Sequence, residues 1–227
     1  MSWFTKAMSS TLGKKLLMAL TGLFLVIFLV VHLSGNLQLL LNDEGRAFNV
    51  YAKFMTTNPL IKTTSFILYA AFIVHIIWAI ILTVNNKKAR PVGYAKTSAS
   101  TNSTWSSRNM GILGTIIFIF LVIHLKNFWY VMHWGPIDMV KYEGQEYRDL
   151  YATVDMAFSQ LWYVVLYVVA MLGLMFHLYH GFSSAFQTLG LNHVKYNPVI
   201  KFVGVAFAII VPAMFAAIPV IIYFKNF

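Results

Sequence analysis

The stretch MLGLMFHLYHGFSSAFQTL, Met171–Leu189, buries a histidine, His177, inside a run apolar enough for a membrane. An ionisable ring in hydrocarbon is costly, and residues of this kind mark functional sites in membrane helices. Three other runs repeat the pattern. His32, His75 and His124 each interrupt a stretch of Leu, Ile, Val and Phe.

Composition agrees with that reading. The 227 residues are 59% hydrophobic and 11% charged, against roughly 25% charged in a soluble domain. Mean hydropathy is +0.69. An integral membrane protein, one membrane domain over residues 1–227, is expected. The chain has no cysteine. That excludes disulfides, thiolate metal sites, iron–sulfur ligation and covalent haem attachment through Cys-x-x-Cys-His. A net charge of +10 would suit nucleic acid, but the basic residues sit at the ends of apolar runs, as membrane topology requires. No nucleic-acid role is expected. The basic N-terminus precedes a run too long for a signal-peptide core, so it is expected to be retained.

A spanning helix needs about 20 mainly apolar residues. Five runs qualify, 16–41, 63–84, 111–132, 160–182 and 199–224, and no alternation suggests a barrel. The fold class is all-α. Lys6, Lys14 and Lys15 precede the first run. Lys87, Lys88, Arg90, Lys96 and Arg108 follow the second, and Lys195 follows the fourth, with no acid in any of these segments. Asp43, Glu44, Asp138, Glu143, Glu146, Asp149 and Asp155 all fall in the first and third connections. The bias predicts a cytoplasmic N-terminus in a multi-pass protein of the cell inner membrane. The first connection predicts a short amphipathic surface helix around Ala47–Met55. The third reads as a solvated outer loop, and Thr97–Ser107 as a polar cytoplasmic one.

Direction fixes depth, since a helix rises about 1.5 Å per residue. His32 and His124 fall on the outer side of their helix centres. His75 and His177 fall on the cytoplasmic side. Each level then holds one histidine from each of two helices, which is what bis-histidine ligation of a planar macrocycle needs. The four are read as axial ligands of two non-covalent b-type haems: His32 with His124 for the outer, His75 with His177 for the inner. Packing alone explains a lone membrane histidine well; four in two levels favour ligation. The fifth run lacks histidine and carries Pro212 and Pro219, so it is expected to kink and lie outside a four-helix bundle. Gly22, Gly35, Gly114, Gly173 and Gly181 allow close helix approach or room for a flat macrocycle. His180 suits a propionate or water partner better than a second metal. His133 and Trp134 fit an interfacial belt as well as a ligand site, and His193 reads as a loop residue.

At these residues the chain resembles the dihaem cytochrome b anchor of succinate:quinone oxidoreductases and fumarate reductases, the five-helix single-anchor type. The motifs are VHLSGN with His32 and Asn36, GRAFNVYAKFMTTNP in the first connection, IVHIIWAI, FLVIHLKNF and FHLYHGFSSAF. The resemblance covers nearly the whole chain and aligns His177, not His180, with the family ligand. It implies the same haem pairing. It also implies a flavoprotein subunit and an iron–sulfur subunit on the cytoplasmic face, which carry the FAD, the clusters and the dicarboxylate site. Electrons would pass through both haems to a membrane quinone, menaquinone being the usual one. A dimer of such complexes is compatible with it. Some members carry a glutamate in the fourth histidine-bearing helix for proton transfer; this helix has no acid. Quinone contacts are expected among Asn36, Gln38, Asn49, Lys53, Lys126 and His133, each equally suited to an interfacial role.

The alternative within redox chemistry is a dihaem cytochrome b serving a hydrogenase or formate dehydrogenase; the first-connection pattern favours the succinate type. A transporter would want carboxylates or broken helices in its spans, and none of the seven acids lies in one. A purely structural anchor would not need four such histidines.

Overall fold

A computed structural model of the chain describes residues 2–3, 6, 9–89 and 103–226. Arg90, Lys96 and the first part of Thr97–Ser107 lie outside the described residues. The described residues are 81% helical. Among the described residues, five helices are long and apolar enough to cross a membrane. This is a multi-pass helical membrane protein.

All five expected runs are helical apart from Leu41 and Gln160 at their ends, and each helix extends past its apolar run at one end or both. The first, α1, is Thr11–Asn36 and tightens into a 3₁₀ turn, Leu37–Leu40. A shorter helix α2, Arg46–Thr57, follows, then α3, Pro59–Lys88. Asn58 starts α3 by accepting the Leu60 and Ile61 amides at 3.0 and 3.3 Å, and Pro59 needs no partner at the first helical position. After a single turn at Trp105–Arg108, α4 runs over Met110–His124. It then widens into a π-turn, Leu125–Tyr130, and closes with Val131–His133.

The third connection is not a bare loop. It holds an antiparallel hairpin of β1, Met139–Tyr142, and β2, Gln145–Arg148, followed by helix α5, Leu150–Phe158. Glu143 and Gly144 both take positive φ, 51° and 79°, which is the two-residue turn whose twist suits a hairpin. The fourth span, α6, covers Leu161–Thr188, six residues past the end the hydropathy suggested. It stops at Gly190, φ 76°. There the Leu191 amide bonds Phe186 O and the Gly190 amide bonds Gln187 O, a left-handed C-terminal cap. The fifth span, α7, is Asn197–Lys225 and keeps its helix through Pro212 and Pro219, both fully buried.

The chain packs as two compact units. One comprises Met1–Phe28, Phe66–Gly114 and Met175–Ile209; the other comprises Leu29–Ser65, Thr115–Leu174 and Ile210–Phe227. Every long helix gives a segment to each. Large apolar side chains such as Ile27, Phe66, Ile73, Ile119 and Phe202 stay exposed, as a lipid-facing surface requires.

The second unit carries a polar cap built on α2. Its apolar stripe buries Phe48 and Ala52, as the amphipathic reading of Ala47–Met55 expects. Asp43 accepts the Gly45 and Ala47 amides at 3.1 and 2.8 Å and starts the helix. Fully buried Asn49 is the hub. Its amide donates to Tyr142 Oη and Asp149 Oδ1, and its carbonyl accepts the Tyr151 amide at 2.9 Å. Arg148 Nη2 closes the end of α4 by donating to Val131 O and Gly135 O. Tyr51 and Tyr151 belong to the same cap. Burial holds both hydroxyls above the ordinary phenol range; Ser34 partly offsets this for Tyr51, and Asp155, Asp43 and Asp149 add to it for Tyr151.

Candidate functional site

The four span histidines meet in two pairs, one per unit. In the first unit His75 of α3 faces His177 of α6, with ring centroids 6.3 Å apart and planes at 62°. Metal–imidazole bonds of about 2.0 Å on both sides of one ion would put two such centroids about 6.4 Å apart. The spacing therefore fits a shared metal.

Hydrogen bonding fixes the chemistry of His75. Thr21 Oγ1 lies 3.2 Å from His75 Nδ1. Its single hydrogen is already donated to Leu17 O at 2.7 Å, with Met18 O at 3.1 Å. Toward the ring the hydroxyl can only accept. With that hydrogen on Leu17 O, the contact suits the tautomer in which Nδ1 carries the proton and Nε2 keeps its lone pair for a ligand. Gly22 lies under the same ring, where an added Cβ would stand 3.4 Å from Cε1. On the facing side, buried His177 Nδ1 has no hydrogen-bond partner, an unmet demand that a bound group would answer. His180 lies one turn further along α6 and is half-buried.

In the second unit His32 of α1 meets His124 of α4 at 5.7 Å, with the rings perpendicular. These rings stand closer than the first pair and are walled by aromatics. Phe120 lies nearly parallel to His124 at 5.6 Å, and Phe128 meets it edge-on. From α7, Phe215 packs on His32 at 5.6 Å. The fifth span, expected to lie outside the bundle, thus touches a candidate ligand. Asn36 Nδ2 donates to His32 O at 2.7 Å and lies 3.4 Å from both ring nitrogens.

His124 also ends a hydrogen-bonded chain. Its Nδ1 is 3.1 Å from Tyr167 Oη, which is 3.4 Å from Tyr163 Oη. Asn127 Nδ2 donates to Tyr163 Oη at 2.8 Å. Neutral groups in such a chain orient the imidazole and set which nitrogen is free.

Among the described residues, no group of three or more His, Cys, Asp and Glu side chains converges. Each pair offers two nitrogen donors and nothing more. That set suits an ion whose in-plane positions a macrocycle fills; the closed sites of zinc and the oxygen cages of calcium need more protein ligands. His75 and His177 fit a bis-histidine haem at their 6.3 Å spacing, whereas His32 and His124, at 5.7 Å, would have to part by about 0.7 Å to hold one.

The expected quinone contacts scatter. Asn49 has both amide hydrogens and its carbonyl engaged within the cap, leaving none for a ligand. Lys53 Nζ donates to Glu146 O at 3.0 Å and lies over the Tyr147 ring. Asn36 turns back on its own helix, and Gln38 is half-buried in the 3₁₀ turn. Lys126 is exposed, and His133 stacks on Trp129 at 4.8 Å with Nδ1 2.8 Å from that residue's carbonyl. The groups that sequence reasoning passed over are Thr21, Asn127, Tyr163 and Tyr167. Their only signal was a polar atom in an apolar run on a helix facing a histidine. No family model, curated protein or solved structure matches the chain.

Proposed function

We propose that the chain is the dihaem cytochrome b anchor of a succinate:quinone oxidoreductase or fumarate reductase in the cell inner membrane, with its N-terminus cytoplasmic. The observation that carries this reading is the meeting of all four span histidines in two separate pairs, with Thr21 Oγ1 against His75 Nδ1. His75 and His177 would hold one haem b, and His32 and His124 the other. Bound there, haem iron would alternate between ferrous and ferric and carry electrons between the partner subunits and a membrane quinone such as menaquinone.

The chain's own residues do the rest. Thr21 and the Tyr167–Tyr163–Asn127 chain orient the imidazoles. Phe120, Phe128 and Phe215 exclude water around the second pair, where low dielectric strengthens each polar contact. The flavoprotein and iron–sulfur subunits would dock on the cytoplasmic side and bring the dicarboxylate chemistry. Membranes holding the chain with its neighbouring subunits provide the test. Succinate should reduce a b-type absorbance, and a naphthoquinone should reoxidise it. Absence of any b-type band in the assembled complex would overturn the reading.

A further inference from the structure

Charged side chains in the five spans keep to the ends, with one exception. Lys14, Lys15, Lys62 and Lys201 lie in the first turns of their helices, and Lys87, Lys88 and Lys225 lie in the last. Lys126 stands seven residues before its span ends at His133, about 10 Å along the axis. An ammonium at that depth is costly unless it pairs or reaches the interface. Lys126 is exposed, and among the described residues it has no hydrogen-bond or ion-pair partner. The protein supplies no counter-ion for it.

The π-turn Leu125–Tyr130 divides its residues between two sides. Asn127 and Phe128 line a cavity inside the second unit, whereas Leu125, Lys126 and Tyr130 stay exposed. Tyr130, His133 and Trp134 follow Lys126 by four, seven and eight residues, the spacing of one helix face, and all three are exposed. The Trp134 ring lies 6.1 Å from Tyr130 and 5.4 Å from His133. This aromatic stripe leads from Lys126 to the helix end. Tyr and Trp take such places at the headgroup level, and a lysine stem lying along them carries its charge outward. On the other side of Lys126, Val122 and Ile119 continue the exposed face with apolar side chains.

We propose that Lys126 and the stripe Tyr130–Trp134 bind an anionic phospholipid in the leaflet at the His133 end of the span. The ammonium pairs with the phosphate diester. The Tyr130 hydroxyl, which has no hydrogen bond among the described residues, donates to a second phosphate oxygen. An acyl chain lies along Val122 and Ile119. Charge selects the class of lipid. Phosphatidylcholine and phosphatidylethanolamine carry a cation beside the phosphate, and it competes with Lys126; an anionic headgroup has none. The site stands whether or not the histidine pairs hold haem.

The test is native mass spectrometry of the full chain, delipidated in detergent and titrated with dioleoylphosphatidylglycerol or dioleoylphosphatidylcholine. The first phosphatidylglycerol should bind saturably and more tightly than phosphatidylcholine. Lys126→Gln should weaken it about tenfold, the worth of one hydrogen bond to a charged group, and Lys126→Arg should keep it. Lys201→Gln removes the same charge from another span and should leave the first lipid bound. Helical circular dichroism shows that each variant folds. Equal retention in Lys126→Gln or equal binding of phosphatidylcholine would overturn the site. An equal loss in Lys201→Gln would also overturn it, because the attraction would then belong to the net positive charge of the whole chain. A wild-type dimer that Lys126→Gln dissociates, with lipid binding unchanged, would assign the lysine to a second copy and overturn the lipid site.

Discussion

Thr21 Oγ1 lies 3.2 Å from His75 Nδ1 and 2.7 Å from Leu17 O, one turn back on its own helix. With its hydrogen on Leu17 O, this hydroxyl favours the His75 tautomer whose Nε2 is free to bind metal. Thr21→Val keeps the shape and removes the acceptor. Affinity for one of the two haems should fall about 10- to 100-fold, the usual cost of losing such a support, while Thr21→Ser should restore it. Haem retained per chain after extensive dialysis reports the difference.

His177 and His180 lie a turn apart on α6, but only His177 has a facing imidazole, that of His75. His177→Ala should remove one haem and leave the other. His180→Ala should retain both. Loss of a haem in His180→Ala alone would reverse the ligand assignment.

The five spans were legible because hydropathy acts over whole helices, and which histidine rings approach each other because depth follows from residue number along helices of opposite direction. Other features lay outside that logic. Helix ends are set by single caps, so α6 runs on to Gly190 through Ser, Gln and Thr that no apolar window includes. Glu143–Gly144 is a hairpin turn that sequence could have flagged, since the glycine supplies one of two positive φ angles. The π-turn after His124 left no sequence trace, and it is what brings Asn127 and Phe128 to one cavity. Asn49 read as an interfacial donor because nothing local shows that Tyr142, Asp149 and Tyr151, about a hundred residues away, converge on it.

That convergence predicts a stability effect. Asn49→Ala removes three hydrogen bonds at a fully buried position and should cost about 2–4 kcal/mol. Lys53→Ala, at the exposed rim of the same cap, should cost less than about 1 kcal/mol. Thermal unfolding followed by near-ultraviolet circular dichroism distinguishes them.

Gly45 takes φ 80°, and a Cβ there would strike the Tyr151 ring. Gly45→Ala should destabilise the cap by about 1–3 kcal/mol through backbone strain and that collision.

Tyr151 adds a pH dependence. Its hydroxyl ionises later in the folded protein than in the unfolded chain, through burial and then the carboxylates of Asp155, Asp43 and Asp149. Its contribution is therefore complete below the unfolded value, about 10, and is lost as pH rises through the higher folded value. Tyr151→Phe should flatten the alkaline loss of stability in a melting series across that window.

The most direct measurement is haem content per chain, by pyridine haemochrome against quantitative amino-acid analysis, in the wild type and in His124→Ala. Two b-type haems in the wild type and one in the variant are expected. A wild-type protein purified with none, or a variant that keeps two, would contradict the assignment of paired imidazoles to two haem irons.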